Sequence, residues 1–60
     1  MEIGKVTEYA RALFEAHGDK AEAEAARKAT DCAEAGDTQG AETWRAVQRA
    51  IGEIRGAHES

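Results

Sequence analysis

Apolar residues recur along this chain at helical spacing, and the clearest run lies near the C-terminal end. Over residues 37–54, apolar side chains at steps of three or four residues form one stripe, and polar side chains occupy the opposite face. The stripe consists of Ala41, Trp44, Val47, Ile51 and Ile54. The pattern predicts a helix over residues 38–55 that buries one face.

A second stripe of large apolar residues runs from the N-terminal end. Its members share the same spacing, with polar residues between them, and they are Ile3, Val6, Tyr9 or Ala10, Leu13, Phe14 and His17. This stripe predicts a helix over residues 3–17.

The middle segment, residues 20–35, is rich in alanine, glutamate, lysine and arginine and has the strongest intrinsic helix propensity in the chain. It carries almost no large apolar side chain. We expect its inner face to be small residues that receive Leu13, Phe14 and Trp44 from the other two helices. That face is Ala21, Ala25, Ala26, Ala29, Cys32 and Ala33.

Two Gly-Asp pairs separate the three segments. Gly18 and Gly36 are typical residues for ending a helix in the left-handed conformation. Asp19 and Asp37 are typical N-caps, and Glu22 would complete a capping box with Asp19. Connections this short favour antiparallel neighbours.

The predicted fold is therefore all-α, a small antiparallel three-helix bundle made of a helical hairpin and an N-terminal helix. We expect residues 1–60 to form one domain, with a tail over residues 56–60 that starts at a stop residue, Gly56. The predicted core is Leu13, Phe14, Trp44, Val47 and Ile51.

Length and charge limit the classes of function. A chain of 60 residues buries only about 60% of its unfolded surface, so close packing, self-association or docking must stabilise it. The net charge of −4 disfavours binding to nucleic acid backbones and to anionic lipid. We expect a protein partner or a homodimer, and no membrane or small-molecule substrate.

Cys32 is the only cysteine, which excludes a disulfide within one chain and favours a reducing compartment. No stretch reaches the roughly 18 apolar residues of a membrane span, and the N-terminal residues lack the pattern of a secretory signal. The expected location is the cytoplasm.

Candidate chemistry is sparse. His17 lies next to Gly18 at the end of a predicted helix, where an imidazolium caps the last carbonyls, and His58 lies in the predicted tail. Cys32 between acidic neighbours is typical of a packing residue, and the carboxylates are spread over helix surfaces. We predict no catalytic residue, cofactor or metal, and hence no enzyme.

Arg45 and Arg49 are four residues apart on the last predicted helix and could bind phosphates or an acidic partner. A regulator that binds nucleic acid through this face is the alternative function, which the acidic total disfavours.

Gly36-Asp37, followed by Ala41 and Trp44, resembles the turn of a tetratricopeptide-type helical hairpin, although Arg45 and Gln48 depart from that repeat. We take this similarity as shared turn chemistry. Over most of its length the chain also resembles small uncharacterised helical proteins of alphaproteobacteria. The residues that carry this resemblance are Ala12-Leu13, His17-Gly18-Asp19, Gly36-Asp37, Gly40-Ala41 and Trp44. It implies a bacterial cytoplasmic setting and a helical architecture, and no activity.

The expected function is a small acidic, non-enzymatic protein–protein interaction module, either self-associating or an accessory subunit of a larger complex. It would act through the alanine-rich face or through apolar residues left uncovered. Candidate contact residues are Ala25, Ala29, Cys32, Arg45 and Arg49. Trp44, Tyr9 and Phe14 are expected at the aromatic centre of the bundle, and one that is exposed instead would mark a binding patch.

Overall fold

Three helices make up nearly all of residues 3–58, the part of the chain that this computed structural model describes. They are α1 (Ile3–His17), α2 (Lys20–Glu34) and α3 (Thr38–His58). They pack into one three-helix bundle, and residues 3–58 contain no strand. The predicted all-α fold is confirmed. The side chains of Ile3 and His58 and the last two residues of the predicted tail lie outside the described part.

Helices α2 and α3 run antiparallel and share the largest interface in the bundle. At one end, the Arg55 guanidinium of α3 donates to the Glu22 carboxylate of α2 at 2.9 Å. At the other end, Cys32 of α2 lies against Gly40 of α3. Helix α1 packs more extensively on α3 than on α2.

The core joins small residues of α2 to larger ones of α1 and α3, as predicted. Its buried members are Val6, Ala10, Ala21, Ala25, Val47 and Ile51, with Leu13, Phe14, Trp44, Ala50 and Ile54 partly buried against them. Of the five predicted core residues, Val47 and Ile51 are fully buried. On α2 the predicted inner face is too wide, because Ala33 is exposed and Ala26 and Cys32 are only half-buried.

The first turn differs from its prediction at Asp19. Gly18 adopts φ 59° and its N–H donates to the Phe14 carbonyl at 2.7 Å, which ends α1 in the predicted way. Asp19, however, has helical backbone angles and no side-chain capping bond. An N-cap requires a non-helical backbone for its side chain to reach back to the first turn. The predicted capping box of Asp19 and Glu22 is therefore wrong.

The second turn forms as predicted. Gly36 adopts φ 81°, its N–H donates to the Ala33 carbonyl, and the Asp37 N–H donates to the Cys32 carbonyl, the pair of bonds of a Schellman motif. The Asp37 carboxylate then accepts from the Gly40 N–H at 3.0 Å and caps α3.

Helix α3 continues past the predicted end at residue 55 and reaches His58. Glycine ends a helix when it adopts a positive φ, and Gly56 does not. The predicted stop at Gly56 is wrong.

Candidate interaction surface

Two aromatic side chains lie at the surface where α1 meets α3. Tyr9 is 42% exposed, and it is the large apolar residue that the bundle leaves most open among those described. Its ring meets that of the half-buried Trp44 edge to face, with centroids 5.8 Å apart and an interplanar angle of 70°. This geometry is favourable for an aromatic pair.

A depression of about 220 Å³ opens beside this pair, lined by Tyr9, Thr43, Trp44 and Val47. Three of these four side chains offer apolar or aromatic surface. The depression therefore suits an apolar side chain from another molecule more than a polar ligand.

A second depression of about 290 Å³ lies between the same two helices. It is lined by Val6, Thr7, Ala46, Arg49, Ala50 and Glu53. Valine and the two alanines give it an apolar floor, and Arg49 and Glu53 place one positive and one negative charge on it. We call the two depressions and the aromatic pair together the α1/α3 face.

The sequence of α3 explains why this face stays open. Thr43, Ala46 and Ala50 form a flank of small residues beside the buried stripe of Val47 and Ile51, at the same spacing of three and four residues. That flank widens the apolar surface of α3 beyond the area that α1 and α2 cover.

The structure separates the predicted contact residues. Ala25 and Ala29 lie buried in the bundle, so in this fold they pack against the chain's own residues and cannot reach a partner. Cys32 is half-buried beside the second turn. Arg45 and Arg49 are exposed, and Arg49 lines the α1/α3 face.

Sequence reasoning missed Val6, Ala46 and Ala50 as surface-lining residues. The signal that could have found Ala46 and Ala50 is the small-residue flank of α3, which lies beside the apolar stripe of Val47 and Ile51.

Charged residues of α2 line a third depression, of about 420 Å³, formed by Glu24, Arg27, Lys28 and Asp31. Nearby, His17 Nδ1 lies 3.6 Å from the Glu24 carboxylate, and both side chains are about half exposed. A surface pair of this kind contributes little to stability. Among the side chains of residues 4–56, which the structure describes, no three acidic, histidine or cysteine groups come together as a metal site would require.

None of the helices within residues 3–58 is both long and apolar enough to cross a bilayer. Comparison with models of known protein families, with curated proteins and with solved structures finds no match for this chain. The α1/α3 face is thus interpreted from its own geometry.

Proposed function

We propose that this chain is a small acidic, non-enzymatic protein–protein interaction module that acts through the α1/α3 face. One observation carries the proposal, which is the exposed Tyr9 ring held edge to face against Trp44 beside an apolar depression. Tyrosine and tryptophan are enriched at protein interfaces because they bury a large area at a small cost in side-chain entropy.

The size of the molecule supports the same proposal. Among the side chains that the structure describes, the large ones that are fully buried are Val47 and Ile51, which is a small core for a chain of 60 residues. Any protein that binds the folded chain and not the unfolded one adds to its stability. A partner that covers Tyr9 and Trp44 would in effect enlarge that core.

The test is a binding comparison between two matched alanine variants. Ala46 lies exposed on the α1/α3 face, and Ala23 lies exposed on α2. We expect Ala46→Asp to abolish association, whether with itself or with a protein of the native cell. Ala23→Asp adds the same charge elsewhere and should associate like the natural chain. Equal binding by both variants would refute the proposal.

The binding of nucleic acid through Arg45 and Arg49 is the alternative outcome of that test. We do not favour it, because two exposed guanidiniums on α3 sit in a chain of net charge −4. Binding that falls steeply with salt and is lost in Arg45→Ser and Arg49→Ser, but not in Ala46→Asp, would favour this alternative instead.

A further inference from the structure

We infer that the partner of the α1/α3 face is a second copy of this chain, bound about a two-fold axis that places Arg49 of each protomer beside the partner's Glu53. This inference rests on the proposed function and names the partner that it leaves open. The observation behind it is the charge pattern of the second depression, where an otherwise apolar floor carries one cation and one anion on the same helix.

The spacing of the two charges selects the symmetry. Arg49 and Glu53 are four residues apart on α3, or about 6 Å along the helix axis. When two α3 helices cross antiparallel about the midpoint between positions 49 and 53, position 49 of one helix lies opposite position 53 of the other. A two-fold interface pairs residue i with j and j with i, so both contacts join opposite charges. A parallel arrangement would set like charges against each other.

The small side chains beside the two charges allow two α3 helices to come close together. Ala46 and Ala50 line the depression with Val6 beneath them, and small residues let two helices pack at short interaxial distance. Neither Arg49 nor Glu53 takes part in the ion pairs found among the described residues, which are His17–Glu24 and Glu22–Arg55. Both charges are exposed and can reorient toward a second protomer.

The area required is modest for this molecule. A specific interface at the small end of the usual range buries about 600 Å² from each partner, roughly one-seventh of the 4386 Å² surface of this chain. A dimer through the α1/α3 face would therefore have to extend beyond the two depressions, along both helices. Interfaces of this size are weak or transient, so we expect a Kd between about 1 and 100 µM.

The experiment measures mass by sedimentation equilibrium between about 1 µM and 1 mM, a range that spans the expected Kd. The natural chain should shift from one chain mass to twice that mass. Arg49→Glu and Glu53→Arg should each raise the Kd at least about tenfold, because each creates two like-charge contacts in its own dimer. A 1:1 mixture of these two variants should recover the dimer, since every contact between positions 49 and 53 then joins a carboxylate of one variant to a guanidinium of the other.

The matched control uses Arg27 and Asp31 of α2, which are also four residues apart and exposed. Arg27→Glu and Asp31→Arg should leave the Kd unchanged, and far-UV circular dichroism should show every variant helical. A dimer that these control variants weaken equally would overturn the inference.

The remaining outcomes separate this inference from the proposed function. A natural chain of single-chain mass at about 1 mM overturns the second copy as partner. If that monomer binds another protein in a manner that Ala46→Asp abolishes, the proposed function stands and only its partner was wrong. If it binds nothing through this face, both are overturned.

Discussion

Asp37 and Asp19 each follow a turn glycine, and only Asp37 caps a helix. The Asp37 carboxylate accepts the Gly40 N–H at 3.0 Å, whereas Asp19 has helical backbone angles and makes no such bond. The difference follows from the preceding turns. The Schellman bonds at Gly36 include the Asp37 N–H, while at Gly18 the helical hydrogen bonding resumes at once, with Ala21 N–H donating to the Gly18 carbonyl.

Replacing each aspartate by alanine tests this difference. Asp37→Ala should lower the free energy of unfolding by about 1 kcal/mol, because it leaves the Gly40 N–H in the first turn of α3 without its acceptor. Asp19→Ala should change it by less than about 0.5 kcal/mol, the range of ordinary surface substitutions. Urea unfolding followed by circular dichroism measures both, and equal losses would contradict the assignment of the cap.

Two glycines inside α3 should respond to alanine with opposite signs. At Gly40 an added Cβ would lie 2.8 Å from Asp37 Cγ and 3.0 Å from Cys32 Sγ, so the cap would be displaced. At Gly52 it would lie 3.4 Å from Glu22 Oε2, an ordinary contact with the movable end of a side chain.

We expect Gly40→Ala to destabilise the bundle by about 1 kcal/mol and Gly52→Ala to stabilise it by about 0.5–1 kcal/mol, the usual gain of alanine over glycine within a helix. Thermal unfolding of the two variants beside the natural chain measures both signs. A stabilising Gly40→Ala would contradict the close contact of Gly40 with Asp37 and Cys32.

At the scale of elements, α2 contributes small alanines to the core, and these pack against larger residues of α1 and α3. Ala21 and Ala25 are fully buried and Ala29 nearly so, while Ala33 on the same helix is exposed. Its buried face is a single row of three alanines at steps of four residues along the helix. A row of this kind packs against one antiparallel neighbour.

Enlarging one alanine on each face of α2 tests this packing. Ala25→Leu should cost about 1–3 kcal/mol, because the added carbons have no space between α2 and α3. Ala33→Leu adds the same atoms on the exposed side and should change the free energy of unfolding by less than about 0.5 kcal/mol. Similar losses in both would contradict the close contact of α2 with α3.

Helices α1 and α3 could be predicted from their apolar stripes and α2 from its helix propensity. The ends between them could be predicted because each turn glycine is followed by a capping-type residue. The failures have local causes. Gly56 resembles a helix stop in the sequence, but a glycine ends a helix by adopting a positive φ, and Gly56 keeps a φ that lets α3 continue. The width of the buried face of α2 depends on how its neighbours cross it, which spacing alone does not specify.

The sequence indicated what type of residue would line a candidate surface, but not which helices would form it. From the sequence, Tyr9 was expected with Trp44 and Phe14 at the aromatic centre of the bundle, and an exposed member would mark a binding patch. The structure exposes Tyr9 instead of burying it, so the first expectation is wrong for Tyr9 and the binding patch stays a proposal. The sequence pattern assigned Ala25 and Ala29 to a partner because α2 lacks large apolar residues, but the bulk of α1 and α3 buries both. Which alanines face inward depends on tertiary packing, and Ala46 and Ala50 of α3 stay nearer the surface.

At the scale of the whole molecule, the net charge of −4 sets the long-range field. Arg45 and Arg49 form a local positive site within it. We therefore expect the chain to pass through a heparin column at about 0.1 M salt, because the acidic residues around the two arginines outnumber the basic ones. If the chain is retained and Arg45→Ser and Arg49→Ser remove that retention, the two arginines bind heparin despite the net negative charge.

Trp44 lies half-buried on the α1/α3 face, where α1 and α2 leave α3 partly uncovered. Trp44 is the only tryptophan, so its fluorescence reports on that place alone. Acrylamide quenching of the monomeric Ala46→Asp variant is the most direct measurement. The account predicts a quenching constant midway between those of a buried indole and of free tryptophan. Quenching as weak as that of a fully buried indole would mean that the bundle covers Trp44, which would contradict an open α1/α3 face.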